Sequence, residues 1–367
     1  MSARFLTVVL ERAFNMRDGF GREIDYMRIS VIDSCNLNCY YCNPCDNNEH
    51  CHALNILSVK EVLCIVRAAT RLGIKHFRLT GGEPLLHPQL DEMVLQIKKI
   101  PGVSSVSLTT NAVLLAQHAK WLKEAGIDSI NVSLDTIDAS EYERITKKPL
   151  LEEVKHGINA AIECGIRVKI NVVLTPQTDV VALTRYASKK GTDIRFIEMM
   201  PVGEGHTNGV EPYEKVIGAL LEVYGTPCHI DTENREEINS GYNNADNGPA
   251  EYYSFHGLDI RVGLIQAIHG KFCDTCNRIR VTADGRLMPC LGSSVTMDLV
   301  PDSWDFADDV EKDFAIARAL RAAIKAKPRC HNFNDNAVTY TKTTETKTTE
   351  IEAAEVNAAR NMSRIGG

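Results

Sequence analysis

The sequence lacks long hydrophobic runs. Its first apolar stretch, from Phe5 to Leu10, is too short for the core of a secretory signal and far too short to span a membrane. We therefore expect a cytoplasmic protein, in which the twelve cysteines stay reduced or bind metal instead of forming disulfide bonds.

The sequence also lacks an excess of positive charge. It has 41 lysines and arginines against 48 aspartates and glutamates, which gives a net charge of −7. That balance argues against wholesale binding of nucleic acid or of an acidic membrane surface. A small anionic ligand needs only a local group of basic residues, so individual arginines become informative.

Short β-branched runs alternate with amphipathic helical segments between Met27 and Glu198. One helix is expected over Ser58–Leu72, where Ser58 and Glu61 form a capping-box pair. The expected strands are Met27–Ile32, His76–Thr80, Ser104–Thr109, Ser129–Leu134, Val168–Leu174 and Asp193–Glu198. Six βα units predict an α/β fold with an incomplete (βα)6 TIM-like barrel, whose site lies at the C-terminal ends of the strands.

The periodicity fades after Gly203 and gives way to shorter strand-like runs over Leu258–Ile265 and Arg278–Thr282. This change predicts a second, C-terminal region. The expected division is a barrel over residues 20–203, a second domain over 204–335 and a low-complexity tail over 336–367.

Three cysteines, Cys35, Cys39 and Cys42, directly follow the first expected strand. Thiols this closely spaced in a reducing compartment indicate a metal site. Three thiolates leave one iron of a four-iron cubane cluster open to a small-molecule ligand. The alternative is a structural zinc site, which normally takes four ligands, and Cys45 is a candidate for the fourth.

The Cys-x3-Cys-x2-Cys spacing, followed by Thr80-Gly81-Gly82-Glu83-Pro84, resembles the radical S-adenosylmethionine (SAM) superfamily. This resemblance implies a [4Fe-4S] cluster whose open iron binds SAM. In the glycine loop, the missing side chains let the backbone approach a ligand closely, and Glu83 is a candidate acceptor for the SAM amino group. A Gly-Gly pair alone would indicate only a tight turn.

A second group of three cysteines, Cys273, Cys276 and Cys290, lies in the C-terminal region. On its own this group fits an auxiliary iron–sulfur cluster and a zinc ribbon equally well. Candidates for a fourth zinc ligand are Cys228, His269 and Cys330.

Arg278 and Arg280 favour the cluster interpretation. In a strand, alternate residues point to one face, so both guanidinium groups are expected on the same side beyond Cys276. Two guanidinium groups beside a cluster are suited to clamp a phosphate chain. The alternative is a solvated basic strand.

Both cysteine groups, the arginine pair and the terminal Arg364-Ile365-Gly366-Gly367 together resemble the GTP 3′,8-cyclase family of molybdenum cofactor (molybdopterin) biosynthesis. The resemblance runs from about Arg22 to Leu291 and resumes at the extreme C-terminus. It implies a lyase with two [4Fe-4S] clusters, SAM as cofactor and GTP as substrate. It also implies that hydrogen is abstracted from ribose C3′, which then attacks C8 of a guanine held by the second cluster. The product would be (8S)-3′,8-cyclo-7,8-dihydroguanosine 5′-triphosphate.

The resemblance assigns a role to individual positions of this sequence. The residues expected to hold metal are Cys35, Cys39, Cys42, Cys273, Cys276 and Cys290. Those expected to bind SAM are Tyr41, Gly82, Ser133, Arg195 and Met200. Those expected to bind GTP are Arg28, Arg78, Thr109, Lys169, Arg278 and Arg280. A single such cation is often only a surface ion-pair partner, whereas several at one barrel mouth would form a polyanion site.

The resemblance further implies a reductant that supplies electrons and a product passed to cyclic pyranopterin monophosphate synthase. It implies no nucleic-acid or membrane partner and is compatible with a homodimer. The chain departs from the family at Ser34, His76 and Asn43, where arginine, lysine and methionine are usual. A neutral histidine would remove a charge from the phosphate clamp. The alternatives are a radical SAM peptide-modifying enzyme with an auxiliary cluster and a catalytically impaired metal-binding paralogue.

Overall fold

The computed structural model describes residues 16–42, 56–202, 210–230, 248–293, 295–299, 309–331 and 333. Cys45, Asn43 and the tail from residue 336 to Gly367 lie outside these residues. Within the part of the chain that the structure describes, no helix is long and apolar enough to cross a membrane.

Strands and helices alternate along most of the chain. The strands are β1 Tyr26–Ser30, β2 His76–Thr80, β3 Ser105–Thr110, β4 Ser129–Ser133, β5 Arg167–Val173, β6 Asp193–Ile197, β7 Cys228–Ile230, β8 Glu251–Ser254, β9 Val262–Ile265, β10 Arg278–Val281, β11 Arg286–Met288 and β12 Met297–Asp298. The helices are α1 Val59–Thr70, α2 Leu90–Lys98, α3 Leu115–Ala125, α4 Ala139–Thr146, α5 Leu151–Glu163, α6 Val180–Lys189, α7 Pro212–Tyr224 and α8 Asp309–Lys325. The six strands expected from the N-terminal half are all present, each displaced by no more than two residues at either end.

The start of α1 shows how local sequence fixes an element. The Ser58 hydroxyl accepts a hydrogen bond of 3.3 Å from the Glu61 N–H, and the Glu61 carboxylate accepts one of 2.7 Å from the Ser58 N–H. This reciprocal pair satisfies two donors that would otherwise be unpaired at the helix N-terminus. The capping box expected from the sequence is therefore confirmed.

The chain divides into two compact units, and the division falls within β3. The first unit comprises residues 1–36, 42–106 and 273–367, and the second comprises residues 37–41 and 107–272. In the first unit the strand order is β12-β11-β10-β1-β2, with β1 parallel to both β10 and β2. In the second unit the order is β3-β4-β5-β6-β9-β8-β7. The strands β3, β4, β5, β6 and β9 are parallel, and β8 is antiparallel to both β9 and β7.

The strands bury one face and carry polar residues on the other. In β1 the fully buried Met27 and Ile29 alternate with Tyr26 and Arg28. The same alternation recurs in β2, β4, β5 and β6. Since successive side chains of a strand point to opposite faces, the polar residues of neighbouring strands collect on one face of each unit's sheet. In each unit, that face carries residues that the sequence assigns to a ligand.

Candidate active site

Three arginines lie side by side across neighbouring parallel strands of the first unit. Arg28 in β1 is the register partner of Arg280 in β10 on one side and of Arg78 in β2 on the other. Neighbouring strands lie about 4.8 Å apart, and register partners share a face of the sheet. The three guanidinium groups therefore emerge from one face in a single row, which we call the arginine row.

The adjacent row of the same three strands is also polar. Tyr26 in β1 is the register partner of Arg278 in β10 and of His76 in β2. The rings of Tyr26 and His76 stack with their centroids 6.4 Å apart, and the Nδ1 atom of His76 lies 2.8 Å from the Ser105 hydroxyl oxygen. The four arginines that the sequence assigns to GTP thus occupy two adjacent rows of one sheet face.

Burial and like charge shape the electrostatics of the arginine row. Burial and the neighbouring Arg280 hold the pKa of Arg28 well below its usual range. The buried Nε atom of Arg28 has no hydrogen-bond partner among the residues that the structure describes. Burial and Arg278 likewise lower the pKa of Arg280 to about 10. Repelling cations with an unsatisfied buried donor favour the binding of a polyanion, because such a ligand relieves both penalties.

Tyr26 is a candidate site residue that the sequence reasoning missed. Its hydroxyl accepts a hydrogen bond of 2.5 Å from the Nε atom of Arg78. Although burial opposes ionisation, Arg78 and Arg28 lower the pKa of Tyr26 to about 8. The signal available in the sequence was alternation, since Tyr26 precedes Arg28 by two residues and so shares its face.

The second cysteine group surrounds the hairpin formed by β10 and β11. Cys273 opens a 3₁₀ turn, and the Cys276 N–H donates to the Cys273 carbonyl at 3.2 Å. The antiparallel pairing of β10 with β11 returns the chain toward Cys290. Burial raises the pKa of the Cys273 thiol, and the nearby Cys290 and Cys276 thiols raise it further. The three thiols therefore lie near one another.

The donor set of this group suits an iron–sulfur cluster. Three half-buried thiols beside cationic groups have the chemistry that such a cluster requires.

The glycine loop after β2 packs against the backbone that leads to Cys35. A Cβ atom on Gly82 would lie 2.2 Å from the Ser34 carbonyl oxygen, and one on Gly81 would lie 2.3 Å from that of Ile32. The Gly82 N–H donates to the Ile32 carbonyl at 2.8 Å. Only glycine permits this approach, which sets the course of the chain into the first cysteine group. The sequence had suggested close approach to a ligand, and the structure adds a close approach to the backbone.

Glu83 has a structural contact of its own. Its Oε1 atom accepts a hydrogen bond of 3.0 Å from the Leu85 N–H and so caps the 3₁₀ helix Pro84–Leu86. Its side chain is fully buried. A role toward the SAM amino group stays a prediction.

Part of the first cysteine group belongs to the second unit, in the segment Leu37–Tyr41. The Asn38 and Tyr40 N–H groups donate to carbonyls at the end of α4, at 3.0 and 3.1 Å. The Tyr41 hydroxyl donates to the Asp135 carboxylate at 2.5 Å. The other carboxylate oxygen of Asp135 accepts from the Val173 N–H at 2.8 Å. The segment that carries Cys39 is thus fastened to the ends of β4 and β5.

Asp135 is a second residue that the sequence reasoning missed. Burial raises its pKa to about 6, although hydrogen bonds from Tyr41 and Val173 oppose that rise. Asp135 follows Ser133 by two residues, which was the only signal in the sequence. The two line a cavity of the second unit together with Leu37, Cys39, Tyr41, Asn111, Thr136, Tyr142, Ile145 and Thr146. The cavity therefore brings together three residues that the sequence assigns to SAM or its cluster, namely Cys39, Tyr41 and Ser133.

Two lateral rows of polar residues cross the sheet of the second unit. The first consists of Thr109, Asn131, Lys169 and Asp193, and the second consists of Ser133, Asn171 and Arg195. The first row contains both GTP candidates of this unit, and the second contains two of its SAM candidates. Sequence-assigned residues thus segregate by ligand into adjacent rows.

Each of these rows contains an asparagine between two candidates. Asn131 lies between Thr109 and Lys169, and Asn171 lies between Ser133 and Arg195. Both Oδ1 atoms are buried, and among the described residues neither has a hydrogen-bond partner. Buried acceptors are nearly always paired in native proteins, so these two are candidates to meet a ligand. The sequence reasoning named neither.

The second unit also has buried charges. Burial and Arg195 strongly lower the pKa of Lys169, while the neighbouring Asp193 opposes this effect. Asp193 is held by Arg261, whose Nη2 atom lies 2.5 Å from the carboxylate. The Nε atom of Arg195 donates to the Tyr252 hydroxyl at 2.6 Å. Met200 lies just beyond β6, where its carbonyl accepts from the Val202 N–H at 2.8 Å.

Two family models match adjacent parts of this chain. The radical SAM superfamily model matches residues 29–184, and the Molybdenum Cofactor Synthesis C model matches residues 192–333. In the solved structures, the chain resembles Streptococcus suis SuiB bound to S-adenosylmethionine with a TM-score of 0.53 at 16% identity. That similarity covers 81% of this chain and 65% of SuiB, and it concerns the fold alone. The fold is therefore the α/β fold of radical SAM proteins, as expected from the sequence.

Curated relatives share much more of the sequence. The GTP 3′,8-cyclase of Clostridium perfringens strain SM101 is 36% identical over 322 residues, which is 87% of this chain and 95% of that protein. The GTP 3′,8-cyclase of Pelotomaculum thermopropionicum is 37% identical over 324 residues, covering 86% and 95%. The Listeria monocytogenes serovar 1/2a enzyme is 36% identical over 320 residues, covering 86% and 92%. This chain belongs to the GTP 3′,8-cyclase family.

Proposed function

We propose that this protein is a radical SAM GTP 3′,8-cyclase. It converts GTP to (8S)-3′,8-cyclo-7,8-dihydroguanosine 5′-triphosphate in molybdenum cofactor biosynthesis. The observation that carries the proposal is the position of the two arginine-bearing rows in the first unit. Cys35 follows the carboxyl end of β1, whereas Cys276 precedes the amino end of the parallel β10. The arginines occupy the strand residues between these ends, so a polyanion bound there lies between Cys35 and Cys276 of the first unit.

Two [4Fe-4S] clusters and SAM are the cofactors of the proposed reaction. Cys35, Cys39 and Cys42 would hold the cluster that binds SAM, and Cys273, Cys276 and Cys290 would hold the auxiliary cluster. Bound SAM and its cluster supply the radical chemistry that removes hydrogen from the ribose. The contribution of the Tyr41–Asp135 hydrogen bond is to fix the segment around Cys39, next to the cavity where Ser133 lies.

The chain's own residues bind and orient the substrate. Arg28, Arg78 and Arg280 bind the triphosphate through charge-assisted hydrogen bonds, with Arg278 in the adjacent row. Thr109 and Lys169 are the GTP-binding candidates of the second unit, and binding of an anion favours the protonated form of the buried Lys169. Joining C3′ to C8 requires the ribose and the base to stay in one orientation. Holding them so gives the large effective molarity of an intramolecular reaction.

The remaining expectations stay proposals. They are the reductant, transfer of the product to cyclic pyranopterin monophosphate synthase, a homodimer, a cytoplasmic location and the division at residues 203 and 335. A peptide-modifying radical SAM enzyme is the alternative activity, and it gives no reason for three adjacent arginines. A paralogue impaired at Ser34, His76 or Asn43 would bind GTP without converting it.

The test is turnover of the anaerobically reconstituted full-length protein with SAM, GTP and a strong reductant. We expect 5′-deoxyadenosine and a cyclised nucleotide in amounts that rise together. Formation of 5′-deoxyadenosine without consumption of GTP would contradict the proposed function. Tight GTP binding without either product would identify the impaired paralogue.

A further inference from the structure

Lys327 is a buried lysine that links the segments carrying two of the auxiliary cysteines. It lies two residues after the end of α8 and is 3% exposed. Its ammonium donates to the Arg278 carbonyl and to the Pro289 carbonyl, each at 2.8 Å. Arg278 is two residues beyond Cys276, and Pro289 directly precedes Cys290. One ammonium group therefore joins the backbone next to both cysteines.

A second buried cation fastens the same region to Cys273. The Arg22 guanidinium donates to the Cys273 carbonyl at 2.6 Å, to the Pro328 carbonyl at 2.6 Å and to the Arg329 carbonyl at 2.8 Å. Its Nε atom pairs with the Asp18 carboxylate at 2.5 Å. The backbone that follows Lys327 is thus tied to the third auxiliary cysteine.

Residues 327–331 also pack against the chain that follows Cys290. A Cβ atom on Gly292 would lie 2.6 Å from the Cβ atom of His331, so the chain after Cys290 packs directly on this segment.

We propose that Lys327 is a positioning residue for the auxiliary cluster, which holds the Cys276 and Cys290 segments together through the Arg278 and Pro289 carbonyls. This inference rests on the proposed function, since it presumes that the cluster is present. Reduction adds negative charge to a cluster already bound by three thiolates. A buried cation held between two of the cysteine-bearing segments stabilises the reduced form and raises the reduction potential, because charge near the cluster helps to set that potential.

The test measures the reduction potential of the auxiliary cluster in the full-length chain. Replacing Cys35, Cys39 and Cys42 with alanine removes the first cluster and leaves one spectroscopic signal of about four irons per chain. In that background we compare Lys327→Met with Lys327→Arg and with Lys325→Met. Lys325 is the matched control, because it is an exposed lysine at the end of α8.

We expect Lys327→Met to lower the midpoint potential in a redox titration followed by electron paramagnetic resonance. Lys327→Arg should keep more of the original potential than Lys327→Met, and Lys325→Met should leave it unchanged. An unchanged potential in Lys327→Met would overturn the inference. If Lys327→Met does not load iron, Lys327→Arg decides: iron loading with a potential near that of the parent supports the inference, and loss of iron there as well overturns it.

The failure of the proposed function would look different. A parent protein with Lys327 intact that binds no iron at Cys273, Cys276 and Cys290 would show that the auxiliary cluster does not exist. That result would contradict the proposed function itself, independently of any effect of the Lys327 substitutions.

Discussion

Arg28 and Arg280 are register partners on adjacent parallel strands, although 251 residues separate them in the sequence. Burial and this neighbour together hold the pKa of Arg28 well below its usual range. The repulsion between the two guanidinium groups destabilises the nucleotide-free protein, whereas an anion that bridges them binds favourably. Binding and stability should therefore respond in opposite directions when one of the two charges is removed.

Arg28→Met tests this opposition. We expect the affinity for GTP to fall by about tenfold or more, because a hydrogen bond to a charged partner contributes about 1.5–3 kcal/mol. The melting temperature of the nucleotide-free protein should stay the same or rise, because a repelling buried charge is gone. Calorimetric titration and thermal unfolding measure the two quantities. The control is Arg286→Met, which removes an exposed arginine paired with Asp298 at 3.1 Å; a similar loss of GTP affinity there would refute a specific role for the row.

The two buried asparagines offer a crossed experiment. Asn131→Leu removes the orphan acceptor between Thr109 and Lys169, and Asn171→Leu removes the one between Ser133 and Arg195. We expect the first substitution to weaken GTP binding by about tenfold and the second to weaken SAM binding by about as much. Each variant serves as the control for the other. Equal losses for both ligands in both variants would mean that the rows do not segregate by ligand.

The hydrogen bond between Tyr41 and Asp135 should act on SAM rather than on GTP. We expect Tyr41→Phe and Asp135→Asn each to weaken SAM binding, and the double variant to weaken it by less than the sum. Groups that share one hydrogen bond are coupled, so the cycle should give an interaction energy of about 1 kcal/mol or more. Strict additivity in the cycle would show that the bond does not position the segment around Cys39.

Asp135 also predicts a pH dependence of stability. Its pKa is raised to about 6 from an unfolded value near 4. The neutral form therefore stabilises the fold at low pH, and this contribution is lost as the pH rises from about 4 through about 6. Relative to Asp135→Asn, the original protein should lose stability over that interval and then level off. Denaturant unfolding of the two apoproteins between pH 4 and 7.5 measures the difference, and a pH-independent difference would contradict the raised pKa.

Gly82→Ala should disturb the first cluster through the backbone. Its added Cβ atom would meet the Ser34 carbonyl oxygen at 2.2 Å, so the chain entering Cys35 must move. We expect iron content to fall toward that of the auxiliary cluster alone. Gly218→Ala is the matched control, because an added Cβ atom there meets nothing within 4 Å and helix α7 tolerates alanine. Full iron loading in Gly82→Ala would show that the close approach is not required.

Sequence patterns could predict the strands and helices of this protein better than they could predict which strands pair with one another. Alternation placed Arg278 and Arg280 on one face, because that rule is local. It could not place Arg280 beside Arg28, since the pairing of β10 with β1 depends on tertiary packing across most of the chain. Tyr26, Asn131 and Asp135 were missed for a related reason. Each is an ordinary strand or loop residue until its neighbours on other strands are known.

Lys327 shows a second limit of sequence reasoning. Nothing in the residues around it distinguishes it from the exposed Lys325 of the same helix end. Only the tertiary fold, which places the Arg278 and Pro289 carbonyls 2.8 Å from its ammonium, separates the two lysines. Gly81 and Gly82 show a related limit. Their pattern indicated that the backbone is closely approached, but it did not indicate that the approaching groups are the Ile32 and Ser34 carbonyls.

The most direct measurement of the proposed chemistry uses GTP that carries deuterium at ribose C3′. The reconstituted protein is incubated anaerobically with SAM, a strong reductant and this substrate, and the 5′-deoxyadenosine is analysed by mass spectrometry. We expect one deuterium in the 5′-deoxyadenosine for each cyclised nucleotide formed. Unlabelled 5′-deoxyadenosine, with the deuterated GTP recovered intact, would contradict a GTP 3′,8-cyclase.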